Sequence, residues 1–145
     1  MNRIAHVTIK VVKEGSALYD SNQITAPEVA VNILKEYLEG ADREHFVVMC
    51  LDTKNKVNAI HTVSIGTLDT GLVHPREVFK LPIIHNAGCI IVGHNHPSGD
   101  PTPSPEDIRT TKRLQEVGEL MGIKLLDHII IGDNKFASLQ QKGLM

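Results

Sequence analysis

The sequence predicts an α/β domain in which a mixed β-sheet is flanked by helices. Three observations lead there. Short alternating or wholly apolar runs and longer stretches of helical periodicity follow one another in the order β-α-β-β-α-β-α-β-β. The chain has 145 residues, enough for one buried core, so residues 1–145 are expected to form a single domain. Hydrophobic residues at 41% and charged residues at 22% are the composition of a soluble globular protein.

The elements follow in order. Residues 4–12 (IAHVTIKVV) alternate and are β-branched, and read as a strand. After a polar connection, Thr25-Ala26-Pro27-Glu28 reads as a helix start, with Thr25 placed to cap and Glu28 to reach back. Val29, Ile33, Tyr37, Val31, Leu34 and Leu38 give that helix its apolar stripe, ending before Gly40. Residues 45–52 (HFVVMCLD) are a buried strand, 53–56 a turn and 57–66 (VNAIHTVSIG) the returning strand of a hairpin. Residues 74–88 read as helical, and Pro82 should kink or break that helix because it lacks the amide donor and clashes with the preceding turn. Residues 89–96 (CIIVGHNH) are a short apolar strand running straight into histidines. A Pro- and Gly-rich loop follows, and Ser104 opens the last long helix, which runs to about Gly122. Residues 123–131 and 135–139 are the final strands. No repeat, low-complexity segment or internal linker is visible.

Composition also narrows the function. A formal charge of −2 lacks the basic excess or stripe expected of a nucleic-acid binder. No apolar run approaches the ~18 residues of a membrane span. The N-terminus lacks the continuous apolar stretch of a signal peptide, so the cytoplasm is the expected compartment. Cys50 and Cys89 each sit in an apolar run and read as buried, reduced thiols rather than a disulfide or a zinc knuckle.

The chemistry is concentrated in His94-Asn95-His96, the seven-residue loop after it, and Ser104-x-x-Asp107. On an extended backbone, residues two apart face the same way, so His94 and His96 can present their imidazoles to one point. The loop reverses the chain and can return Asp107 to the two rings. Two imidazoles and a carboxylate are a common catalytic zinc set that leaves a fourth tetrahedral position open. Each half has a plainer reading. His-x-His alone is weak, and Ser104-Pro105-Glu106-Asp107 is also what an ordinary helix start looks like, with a serine cap, a proline at the first helical position and acids in the first turn. The two readings are compatible, since a capping interaction can hold Asp107 while an outer oxygen binds metal. Elsewhere, His74 and His85 read as surface or cap residues, His61 as a half-buried strand imidazole and Asp100 as a turn residue. Asp127-His128 is a candidate partner for the second nitrogen of a ligand imidazole.

His94 to Asp107, read as HxHPSGDPxPSxxD, resembles the JAMM metal motif as carried by the RadC family of bacterial MPN-fold proteins. Residues 43–46 (REHF), 51–55 (LDTKN), 74–80 (HPREVFK) and 125–133 (LLDHIIIGD) resemble RadC segments too, so the likeness covers roughly residues 20–145. It implies an MPN fold, cytidine-deaminase-like, with one zinc ion per chain held by His94, His96 and Asp107. It implies that Ser104 assists the activated water or the oxyanion. JAMM enzymes also need a glutamate base on the strand after the first helix. Glu44 stands there, with Glu77 as a rival whose plainer reading is a first-turn acid. Many RadC proteins carry a further N-terminal module resembling helix-hairpin-helix domains, and this sequence is expected to be a short form without it. The implied activity is zinc-dependent hydrolysis of peptide or isopeptide bonds in an unidentified peptide or protein. The alternatives are a non-catalytic binding module and a role in DNA repair or processing, for which only the family name speaks.

Overall fold

The computed structural model of the protein describes residues 1–66 and 73–145. Among them lie helices α1 (Pro27–Tyr37), α2 (Pro75–Ile84) and α3 (Pro105–Met121). The strands are β1 (Glu44–Leu51), β2 (Val57–Gly66), β3 (Cys89–Asn95), β4 (Lys124–Ile131) and β5 (Phe136–Ser138). They form one mixed sheet in the order β2-β1-β3-β4-β5. β1 is antiparallel to both neighbours, β3 and β4 are parallel and joined through α3, and β5 returns antiparallel to β4. This is the mixed sheet with flanking helices that the sequence predicts.

The central strands are covered on both faces, which is why β1 and β3 read as nearly continuous apolar runs. Strand alternation sorts their side chains. Val47, Met49, Leu51, Ile91 and Ile129 meet Ala30, Val31, Ile33 and Leu34 of α1. Phe46, Val48, Ile90, Val92 and Leu125 meet Val78 and Phe79 of α2 and Leu114 of α3 on the other face. Gly93 permits the close seat of α1, since a Cβ there would lie 2.5 Å from a methyl of Leu34. The register then places the chemistry. Phe46 stands opposite His94, so Glu44, two residues earlier on the same face, lies over the carboxyl end of β3. His128 stands beside Val92, one step from His94 along the same face.

Several expectations need correction. Residues 4–12 form no strand: they pair with nothing among the described residues, and Ile4, Val7, Ile9 and Val12 are exposed. An alternating pattern shows fitness for a sheet, but without a neighbouring edge its backbone groups bond to water instead. Thr25 does not cap α1. Pro27 takes the first helical position, Ala26 is the extended N-cap residue, and no side chain caps the turn. α2 is shorter than residues 74–88, and it passes through Pro82 before ending two residues later at Ile84. His61 is exposed on the edge strand rather than half-buried. Cys50 and Cys89 are buried and free, as expected. No helix among the described residues is long and apolar enough to cross a membrane.

Candidate metal centre

The site is assembled at the carboxyl end of β3, beside the parallel strand β4 and the start of α3. Ligands in open α/β sheets bind at such ends. His94 is the last inward residue of β3 and is buried, with its ring stacked on Phe46 at 5.9 Å. His96 follows one residue past the strand. Its amide bonds to Ile131 O at 2.8 Å, so β4 still guides the chain there. The loop then turns at Gly99, whose φ of +89° suits glycine and whose carbonyl accepts Asp133 N at 2.8 Å. Ser104 caps α3 as expected. Its Oγ accepts the Asp107 amide at 3.0 Å, and Asp107 Oδ2 accepts the Ser104 amide at 2.9 Å. The capping box therefore fixes Asp107 without consuming its other oxygen.

The four chemical groups meet at close range. His94 Nε2 lies 3.0 Å from His96 Nε2, 3.3 Å from Asp107 Oδ1 and 3.7 Å from Glu44 Oε1. His96 Nε2 lies 3.2 Å from Asp107 Oδ2. Side-chain exposure rises from 1% at His94 through 14% at Asp107 and 15% at His96 to 26% at Glu44. Glu44 is thus the outermost member of the group.

The donor set fits a metal ion. His96 Nδ1 lies 2.8 Å from the carbonyl of Asp100, which can only accept, so the ring proton belongs on Nδ1 and the neutral ring turns a bare Nε2 inward. Carboxylate oxygens are also acceptors, so the cluster calls for a cation or a proton at its centre. Ligands about 2.0–2.2 Å from a tetrahedral ion stand about 3.3–3.6 Å apart. The 3.3 Å from His94 Nε2 to Asp107 Oδ1 matches that spacing, the 3.2 Å from His96 Nε2 is to the cap-bonded Oδ2, and the 3.0 Å between the imidazoles is somewhat tighter. The carboxylates and the imidazoles also act on one another's affinity for protons. Asp107 beside His96 raises the His96 pKa, with Glu44 adding a smaller push the same way. Burial by itself would raise the Asp107 pKa, but the two imidazoles and the Ser104 amide outweigh it and hold that carboxyl well below its usual range.

All five residues singled out by the motif, Glu44, His94, His96, Ser104 and Asp107, come to this one place. Glu77 does not: its carboxylate is paired with Lys80 Nζ at 2.9 Å on α2, which lowers its pKa. Asp127 and His128 part company. Asp127 accepts from Ser138 Oγ, His128 N and Gln140 N and ties down the end of the chain, while His128 reaches His94. Asp100 is the turn residue expected, accepting from Thr102 N at 2.9 Å, but its carbonyl also orients His96. Sequence reasoning missed Asn95 and Thr111. The Asn95 amide accepts from His45 N at 2.8 Å and donates to Arg43 O at 3.0 Å, clamping the backbone on both sides of Glu44. Thr111, one helical turn after Asp107, is fully buried against His128.

The sheet order, the helices on both faces and the histidine–carboxylate group at the end of β3 define a JAB/MPN-type α/β domain with a group able to hold a metal ion. Residues 24–144 match the RadC-like JAB domain family. The chain belongs to that family. It is 58% identical over 122 residues to a UPF0758 protein of Desulforamulus reducens, covering 84% of this chain and 54% of that one. It is 56% identical over 120 residues to a UPF0758 protein of Caldanaerobacter subterraneus, covering 83% and 52%. A UPF0758 protein of Clostridium acetobutylicum is 50% identical over 127 residues, 88% of this chain and 56% of the relative. The chain spans about half the length of the curated relatives it matches.

Proposed function

We propose that this domain is a zinc-dependent hydrolase of amide bonds, peptide or isopeptide, with one ion held by His94, His96 and Asp107. The observation that carries this reading is the convergence of two imidazole nitrogens and the Asp107 carboxylate within 3.0–3.3 Å of one another, with the Glu44 carboxylate just outside them. Two imidazoles and one carboxylate suit zinc and leave room for a further ligand. Bound there, zinc would supply Lewis acidity and lower the pKa of a coordinated water.

The chain's own groups account for the proton movements. Glu44 is the most exposed of the cluster and 3.7 Å from His94 Nε2, so it can reach a water entering from solvent. In this role it takes a proton from the attacking water and returns it to the leaving amine nitrogen. The Asn95 clamp holds its backbone while the carboxylate does so. Ser104 Oγ already accepts the Asp107 amide, which leaves its hydroxyl hydrogen to donate to the carbonyl oxygen as that oxygen gains charge.

The test is a screen of peptide and isopeptide-linked substrates with the zinc-loaded protein, alongside Glu44→Gln and Glu77→Gln and elemental analysis of all three. Glu44→Gln should keep zinc and lose about 10²–10⁴ in rate. Glu77→Gln should match wild type, because its partner is Lys80. A wild-type protein that stays empty after zinc loading overturns the metal reading. Full turnover by Glu44→Gln removes Glu44 from the role of base.

A further inference from the structure

We infer that Thr111 and His128 set the tautomer of His94 and so hold its Nε2 free for the metal, a positioning role that rests on the zinc reading above.

The inference follows from hydrogen-bond chemistry in a short buried chain. Thr111 Oγ1 lies 2.7 Å from the backbone carbonyl of Asp107. A carbonyl only accepts, so the hydroxyl hydrogen is committed to it. The same Oγ1 lies 2.6 Å from His128 Nδ1. With its hydrogen already placed, the hydroxyl can only accept there, and His128 must carry its proton on Nδ1. In the neutral ring the other nitrogen is then an acceptor. His128 Nε2 lies 2.8 Å from His94 Nδ1. His94 must therefore donate from Nδ1, which leaves its Nε2 as a bare lone pair turned toward His96, Asp107 and Glu44. One proton order runs unbroken from a helix carbonyl to the metal site.

Burial makes the order stable. His128 and Thr111 have no solvent exposure, and their side chains make no further hydrogen bond among the described residues. Phe46 walls the pair, stacked on His94 and edge-on to His128 at 5.6 Å. A wrong tautomer anywhere in the chain would set two hydrogens, or two lone pairs, against each other with no water to relieve them. The carbonyl that anchors the order belongs to Asp107, and Thr111 lies one turn on along α3. The first turns of α3 therefore supply both a candidate ligand and the group that orients another. Ligand histidines usually donate their second nitrogen to a carboxylate or carbonyl. Here a second imidazole takes that place, and it needs Thr111 to define which of its nitrogens accepts.

Two measurements test this. Long-range proton–nitrogen NMR spectra of the metal-free protein at about pH 8, where ordinary imidazoles are neutral, report each tautomer directly. His94 and His128 should both be protonated on Nδ1. A proton on His94 Nε2 in the wild type would overturn the inference. Zinc affinity, measured by competition with a chromophoric chelator, should fall about 10–100-fold in Thr111→Val, which keeps shape but removes the acceptor. Thr111→Ser should recover most of the loss, which mere cavity filling would not explain. Equal affinity in Thr111→Val and wild type, both folded by thermal melt, would also overturn it. A wild type that binds no zinc sinks the zinc reading instead, and the metal-free spectra still decide whether Thr111 and His128 order the His94 proton.

Discussion

Asp107 does two jobs in the structure, and paired substitutions separate them. Its carboxylate closes the capping box on the Ser104 amide at 2.9 Å and also stands 3.2–3.3 Å from both imidazoles. Ser104→Ala removes the cap acceptor and leaves the carboxylate, whereas Asp107→Asn keeps an oxygen for the Ser104 amide and removes the charge. Losing a serine cap costs about 1 kcal/mol. For a domain of this size that is a fall of about 3–5 °C in Tm. A ligand at a free concentration a hundredfold above its Kd stabilises by about 2.7 kcal/mol, or about 8–13 °C on the same scale. Thermal melts with and without zinc should therefore dissociate the two variants. Ser104→Ala should melt a few degrees lower without zinc yet keep the zinc-induced rise. Asp107→Asn should lose most of that rise. If Asp107→Asn keeps it in full, Asp107 is not a ligand and the reasoning from its spacing fails. Glu44 would then be the third ligand, since Glu44, His94 and His96 offer atoms within 4.8 Å of one another. Glu44→Gln would in that case shed the metal.

Other expectations follow from single contacts. Asn95→Ala removes both bonds that flank Glu44, so it should slow hydrolysis while leaving zinc content unchanged by elemental analysis; loss of zinc would show that it acts through His94 or His96 instead. Gly93→Ala places a methyl against both Leu34 methyls and the Ile129 carbonyl, and chemical denaturation should show a loss of about 1–3 kcal/mol. A smaller change would mean that α1 moves aside freely. Burial pushes the Cys50 thiol up to about 12 and raises that of Cys89, so a thiol reagent at neutral pH should label the native protein slowly and the denatured protein fast.

The fold was legible wherever local pattern and tertiary cover agreed. β1 and β3 read as strands because each is a nearly continuous apolar run, and they are apolar because helices cover both faces of the sheet. β2 carries alternating side chains because it lies at the edge. Residues 4–12 show the limit. Their alternation is as good as that of β2, but a strand is a pairing, and a pairing needs a second stretch of chain that local pattern does not specify. The start of α1 failed for a smaller reason. Thr25 reads as the cap, but the fixed φ of Pro27 suits the first helical position, which makes Ala26 the N-cap residue.

The candidate site divides the same way. Groups that can reach a metal had to be His, Asp or Glu, and within a run of fourteen residues His94, His96 and Asp107 stood in a spacing that only a tight loop could use. Glu44 could be named because it heads the strand after the first helix, where the resemblance to JAMM enzymes implies a base, but its approach to His94 depends on β1 and β3 being neighbours. The supporting groups were harder to see because their chemistry is ordinary. Asn95 looks like a spacer between two histidines, and Thr111 like any polar residue on a helix. Their signal was positional: Thr111 is four residues after Asp107, hence on the same side of α3, and Asn95 points away from the direction shared by His94 and His96. Position says which way such a residue faces, but only the packed sheet says what it meets there. For Thr111 the partner is a buried imidazole thirty-four residues from His94 in sequence and 2.8 Å from it in space. A metal ligand can thus be proposed from a motif, while the proton that makes it a ligand is placed by a hydroxyl that no motif contains.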